Sequence, residues 1–155
     1  MADYAWHFEA FEAGQEHVTM GRTVTEADIV GFVTLGGIFE ELFINVHHAA
    51  NKVLDGRVAP AMLVLTYAEG LYIQTGHTHA GRAFLGLDEL RLVAPTRAGD
   101  TIRVTVTVES TRLSESKPGH GIVVLRHIVR NQDGIDVLRY KTTRLIQCRA
   151  NDAAG

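Results

Sequence analysis

The sequence has little that would staple or interrupt a fold. Its one cysteine, Cys148, cannot form an internal disulfide, which suits a reducing compartment. Its three prolines, Pro60, Pro95 and Pro118, leave long stretches open to helix and strand. The N-terminus has no basic segment followed by an apolar run, so no signal peptide is expected. The longest apolar block, Ala59 to Ile73, is broken by Thr66, Glu69 and Gly70 and is too short to span a bilayer. Neither sign of charge dominates: 15 basic against 18 acidic residues give a net charge of −3, so no nucleic-acid partner is expected. Metal-binding spacings are missing too. The histidine clusters, His47-His48 and His77-Thr78-His79, have no cysteine partner nearby and no H-E-x-x-H spacing. Adjacent histidines on a helix point about 100° apart, so no metal site is expected. A cytoplasmic globular protein remains, with no membrane partner.

The chain has 155 residues, enough for one domain, and is 46% hydrophobic, enough to build a core without staples. Residues 1–16 read as a peripheral arm that docks through Trp6, Phe8 and Phe11. Residues 17–149 form the domain, and 150–155 are a frayed tail. "GRTVTEADIVGFVTL" reads as a short strand entering a helix, with Thr25 as its N-cap and Asp28 three residues on. From Phe39 to Leu54 the apolar residues keep helical spacing, which predicts one helix ending at Asp55-Gly56. Pro60 opens a second helix, apolar on nearly all sides and ended by Gly76.

After residue 81 the period shortens. "RAFLGLDELRLVAP" is strand-like, with Gly86 as a candidate bulge. Ile102, Val104, Val106 and Val108 alternate with Arg103, Thr105, Thr107 and Glu109. Two more strands meet at Asp133-Gly134, a hairpin signal. An all-apolar helix must be wrapped by something. The expected class is α+β, an antiparallel sheet curled around a long central helix, for which the hotdog fold is a known solution.

From about Arg22 to Arg149 the chain resembles the MaoC-like dehydratases, hotdog relatives of (R)-specific enoyl-CoA hydratases. "RTVTEADIVGF", "GRVAPAML", "LGLDELRLVAPTRAGDTIRVTVTV", "RLSESKPGHGIV" and "VRNQDGIDVL" carry the resemblance in order and spacing. It implies a homodimer or higher homo-oligomer, with an interface tunnel for an acyl chain on coenzyme A or acyl carrier protein. No cofactor is expected beyond that carrier. The family motif G-D-x-N-P-x-H supplies an aspartate and a histidine that share one water and shuttle a proton. A backbone amide at the start of the central helix polarises the thioester carbonyl.

An ungapped alignment through "GGIFEELFINVHHAA" puts Ile38 on the aspartate, Glu40 on the asparagine, Glu41 on the proline and Phe43 on the histidine. Neither Ile38 nor Phe43 can carry a proton. A gapped alternative would use Asn45 and His48 and still leave Phe43 at the aspartate. With the motif proline gone, residues 39–54 can run as unbroken helix. On that helix Glu41, Asn45, His48 and Lys52 line a polar side whose plain role is solvation. Glu40 and His47 lie on the flank of the apolar stripe, as a replacement acid–base pair or as surface residues at the core's edge. By the resemblance, the Ala61 amide would be the carbonyl donor. Ser116 and Lys117, in a polar loop, would meet a carrier phosphate or simply be solvated; Arg91 and Arg97 are alternative phosphate partners. Cys148 is expected to be inert.

The expected function is a divergent MaoC-like lyase of the enoyl-CoA hydratase or 3-hydroxyacyl dehydratase type, lacking the usual dyad. The alternatives are a hotdog acyl-CoA thioesterase, or a non-catalytic subunit. Such a subunit would bind an acyl thioester or pair in a heterodimer with a catalytically intact hotdog partner.

Overall fold

The computed structural model describes residues 6–149. The expected 150–155 tail and the first five residues of the arm lie outside them. The chain runs through a 3-10 turn (Phe8–Ala10), β1 (Glu16–Val18), β2 (Arg22–Thr23) and α1 (Glu26–Gly36). There follow α2 (Glu41–Ile44), α3 (Ala49–Val53), α4 (Ala61–Ile73), β3 (Gly81–Leu92), β4 (Thr101–Leu113), β5 (His120–Arg130) and β6 (Asp136–Gln147). The sheet is antiparallel in the order β1-β4-β5-β6-β3, with β2 also pairing with β4. It packs its inner face on α4, the α+β hotdog arrangement that the resemblance implied.

Alternation decides which face is inner. In β4, Ile102, Val104, Val106 and Val108 are buried, and their neighbours face out. They close on Leu63, Val64, Ala68, Leu71 and Tyr72 of α4. With apolar residues almost all round, α4 gains its stability from this wrapping. It stops at Ile73, three residues before Gly76, whose φ of +84° belongs to the turn into β3. Charged pairs lie across the strands, including Lys141 and Arg126 on Glu109 and Arg130 on Asp136.

Capping follows sequence chemistry. Thr25 Oγ1 accepts from the Asp28 amide at 3.1 Å, and the Asp28 carboxylate accepts from the Thr25 amide at 2.8 Å, a reciprocal box at the start of α1. The strand register shifts at Gly86, as expected of a bulge. The β5–β6 turn is longer than a two-residue hairpin. Asn131 Oδ1 accepts from the amides of Asp133 and Ile135, both at 3.0 Å, and Gly134 takes a φ of +77°.

The arm docks on the body: Phe11 is in the core, and Trp6 and Phe8 pack against it. Phe8 lies directly on the backbone of Gly121, where any Cβ would run into its ring. His77 is not a simple helix-end residue. Its ring lies 4.2 Å from Trp6 and 4.1 Å from His17, centroid to centroid, with Nδ1 2.9 Å from Thr75 Oγ1.

The single helix expected over 39–54 is absent. Gly37 ends α1 in the left-handed region (φ +66°), residues 38–40 are irregular, and a turn over Asn45–His48 separates α2 from α3. Helical spacing of apolar residues was present, but two side chains divert the backbone. Asn45 Oδ1 accepts from the His47 amide at 2.9 Å, closing a turn, and His48 Nδ1 accepts from the Ala50 amide at 3.3 Å, capping a new helix.

Candidate active site

Residues 37–58 form an excursion that ends where α4 begins. Pro60 caps α4 and has no amide of its own, so the first helical donors are Ala61 and Met62. The Leu63 and Val64 amides both donate to the Pro60 carbonyl, at 3.0 and 3.3 Å. Among the described residues, no protein acceptor takes the Ala61 or Met62 amide. The start of a 13-residue helix thus presents two free donors with the positive end of the helix dipole behind them. Ala59 is anchored beside them by its amide on the Thr96 carbonyl at 2.8 Å.

The excursion is tied down by residues the sequence analysis did not single out. Asn51 is 2% exposed. Its Nδ2 donates to the carbonyls of Leu42 and Asn45, both at 2.9 Å, and its Oδ1 accepts from the Val58 amide at 3.2 Å. Arg57 donates through Nη1 to the Phe43 carbonyl and through Nε to Glu26, each at 2.5 Å. Arg97, a phosphate candidate in the sequence, donates through Nη1 to the Leu54 carbonyl at 2.6 Å. The one readable signal was slight: an amide beside Lys52, flanked by Ala49-Ala50 and Val53-Leu54. A helical reading puts that amide on the surface, and only the broken helix turns it inward.

Ile38 and Phe43 are half-buried, and Phe43 packs against the core. Glu40 is the N-cap of α2, exposed, and makes no capping bond. His47 is exposed in the turn, and its backbone, not its ring, is the bonded part. The helix that would have set Glu40 and His47 two turns apart is broken between them, and among the described residues no hydrogen bond or ion pair joins them. In the excursion and at its two ends, Leu35, Phe39, Ile44, Val46, Val53 and Met62 are all exposed.

Ser116 and Lys117 are exposed in the β4–β5 turn, where the Lys117 amide donates to Ser114 Oγ at 3.2 Å. Ala59 meets the chain just before β4, and β4 then runs 13 residues to that turn, about 40 Å of strand. Within one chain the loop and Ala61 are therefore not brought together. Arg91 is exposed, and its guanidinium donates to the Leu90 carbonyl at 3.3 Å. Burial and the nearby Glu9 raise the Cys148 thiol's pKa, which disfavours the reactive thiolate. No group of three potential metal ligands occurs among the described residues, and no helix is long and apolar enough to cross a membrane.

Residues 9–131 match the family model described as MaoC like domain. Protein MaoC of Klebsiella aerogenes is 34% identical over 101 residues, 65% of this chain and 30% of that protein, so the chain spans less than a third of that relative. An (R)-specific enoyl-CoA hydratase from Rhodospirillum rubrum is 29% identical over 102 residues, 66% of this chain and 69% of that enzyme. Among solved structures, the monoamine oxidase regulatory protein from Archaeoglobus fulgius superposes with a TM-score of 0.83 at 30% identity, covering 92% of this chain and 95% of that one.

Proposed function

The chain belongs to the MaoC-like domain family, and from that premise we propose that it binds an acyl thioester at the start of α4 and acts on it as a hydratase or dehydratase. The observation that carries the proposal is the pair of free amides at Ala61 and Met62, at the end of an excursion that exposes several large apolar side chains. A thioester carbonyl placed there accepts from the Ala61 amide. Negative charge that develops on its oxygen as the α-carbon gains enolate character is met by the helix dipole. Those side chains receive the acyl chain.

In the hydration direction, water adds hydroxyl to the β-carbon and the α-carbon takes a proton. Glu40, which the structure leaves unpaired with His47 within one chain, is the excursion carboxylate assigned to take the water's proton and return it to the α-carbon. Ser116 and Lys117 would contact the carrier's phosphate from a second copy of the chain, since the strand length separates them from Ala61 in the same copy.

The test is the enone absorbance of crotonyl-CoA. The expected outcome is a steady fall with the native protein and a loss of about 100-fold in rate for Glu40→Gln, the scale of one acid–base group. Native rate in Glu40→Gln would reject that assignment.

A second reading is favoured by the half-buried, apolar Ile38 and Phe43 at the positions where the resemblance puts the dyad. It is a non-catalytic subunit that binds the thioester or supports a dyad-bearing hotdog partner. Absence of turnover together with saturable crotonyl-CoA binding would select it. Release of free thiol would instead select a thioesterase.

A further inference from the structure

The outer face of the sheet, turned away from α4, carries a cavity of about 580 Å³. It lies across β4 and β5 beside β1, and its lining includes Val18, Thr101, Arg103, Thr105, Arg130 and Asn131. β6 stands between β5 and the open edge of β3, and the Ala61 amide belongs to the helix on the other face. The cavity is therefore distinct from the proposed thioester site and from the free edge.

Arg103 of β4 and Arg130 of β5 are register partners, directly opposite each other. Val104 and Val129, the next pair, are buried, so both arginines point outward. Like charges directly opposite on a sheet are destabilising. Further along the same face, Glu109 answers that problem by standing on both Arg126 and Lys141. Here no such carboxylate is supplied. Asp136 pairs with Arg130 at 2.7 Å but is shared with Arg139 at 2.5 Å. Arg103 makes no ion pair with any described residue. No carboxylate lines the cavity.

The donors around it are held in place. The Arg103 side chain lies close over Gly21, where an added Cβ would stand 3.3 Å from its Nε. Arg130 is fixed by Asp136 through Nε and by Thr105 Oγ1, which accepts from Nη1 at 3.3 Å. The Thr105 hydroxyl proton is left to donate elsewhere. Asn131 commits its Oδ1 to two turn amides, while its Nδ2 donates to no described residue.

We infer that this cavity binds a phosphate monoester, with the phosphate between Arg103 and Arg130 and its organic group against Val18, which is 60% exposed. A monoester brings nearly two negative charges and three terminal oxygens. These match two guanidinium groups, a hydroxyl and an amide, whereas a carboxylate brings one charge and two oxygens. The volume exceeds that of a phosphate ion and leaves room for the attached group. The site does not depend on turnover at Ala61.

The probe is phenyl phosphate, titrated into the full chain by calorimetry at low salt and about pH 8, where the monoester is a dianion. Saturable binding is expected, weakened at least about tenfold in Arg103→Gln, which loses one charged contact. Benzoate, with the smaller charge, and inorganic phosphate, without the ring, should each bind at least about threefold more weakly than phenyl phosphate. Saturating crotonyl-CoA should leave phenyl phosphate binding unchanged. Arg103→Gln should melt no lower than the native protein, because the lost charge has no protein partner. Absence of saturable binding, benzoate or inorganic phosphate bound as tightly as phenyl phosphate, or binding indifferent to Arg103→Gln would overturn the assignment. So would displacement by crotonyl-CoA, which would place the phosphate at the thioester site, or a clear fall in the variant's melting temperature, which would make Arg103 a support of the fold.

Discussion

The residues that hold the candidate site in shape differ from those that attract attention in the sequence. Asn51 joins Leu42, Asn45 and Val58 through one buried amide. Asn51→Ala leaves two carbonyls and an amide to find other partners and should cost about 2–3 kcal/mol in urea denaturation. A loss under about 0.5 kcal/mol would mean that the excursion is held elsewhere. One buried histidine, His127, and one half-buried histidine, His77, set a pH dependence. His77 is pushed down to about 4 by burial and then by the neighbouring His17. His127, stacked on Tyr140 at 4.3 Å with Nε2 3.0 Å from Thr142 Oγ1, is pushed down to about 3 by burial and then by Arg144. Well above pH 6.5, by a unit or more, neither the folded nor the unfolded chain protonates these rings appreciably, and their contribution is intact. As pH falls through 6.5 toward 4, the unfolded chain takes up protons that the fold refuses, so stability is lost. The melting temperature should therefore drop across that window, and His77→Phe should flatten the drop. Trp6, the only tryptophan, touches both His77 and His17 and reports the change by its fluorescence.

At the scale of elements, period and capping were readable where one force acted alone. The alternation of β4, the capping box of α1 and the apolar girth of α4 each follow from a local rule that packing only reinforces. The segment 39–54 was misjudged because its apolar period suits a helix while Asn45 and His48 offer the backbone competing hydrogen bonds. The arm shows the reverse case. Its aromatics were legible as docking residues, but the seat of Phe8 on Gly121 joins residues 113 positions apart and has no local signature. Gly121→Ala should displace Phe8 and destabilise the fold by about 1–3 kcal/mol. In Phe8→Ala the same substitution should cost clearly less, and a double-mutant cycle by denaturation measures the difference.

For the whole molecule, the open flank of β3 matters most. Its 12 residues pair with β6 on one side only, and Phe84, Leu85, Leu87, Leu92 and nearby Val93 are exposed. A long apolar edge of this kind is a template for another strand. We expect a second copy to pair there, continuing the sheet. In light scattering the native chain should show the mass of two copies and Leu85→Lys with Leu87→Lys the mass of one; a native mass of one copy, or a mass unchanged by the substitutions, would reject this pairing.

The sequence by itself determined the class of fold, the central helix, the four long strands and the family, because each rests on local periodicity or on ordered segments that need no long-range partner. It also placed isoleucine and phenylalanine at positions 38 and 43. Tertiary structure alone decided that the segment around them is a broken excursion pinned by Asn51 and Arg57, that Ser116 and Lys117 sit a strand's length from Ala61, and that Arg144 is buried against Glu69. Each of those depends on burial and on contacts between residues far apart in the chain. A charged or amide side chain is read as solvated until the fold removes its water, and no local pattern announces where that will happen.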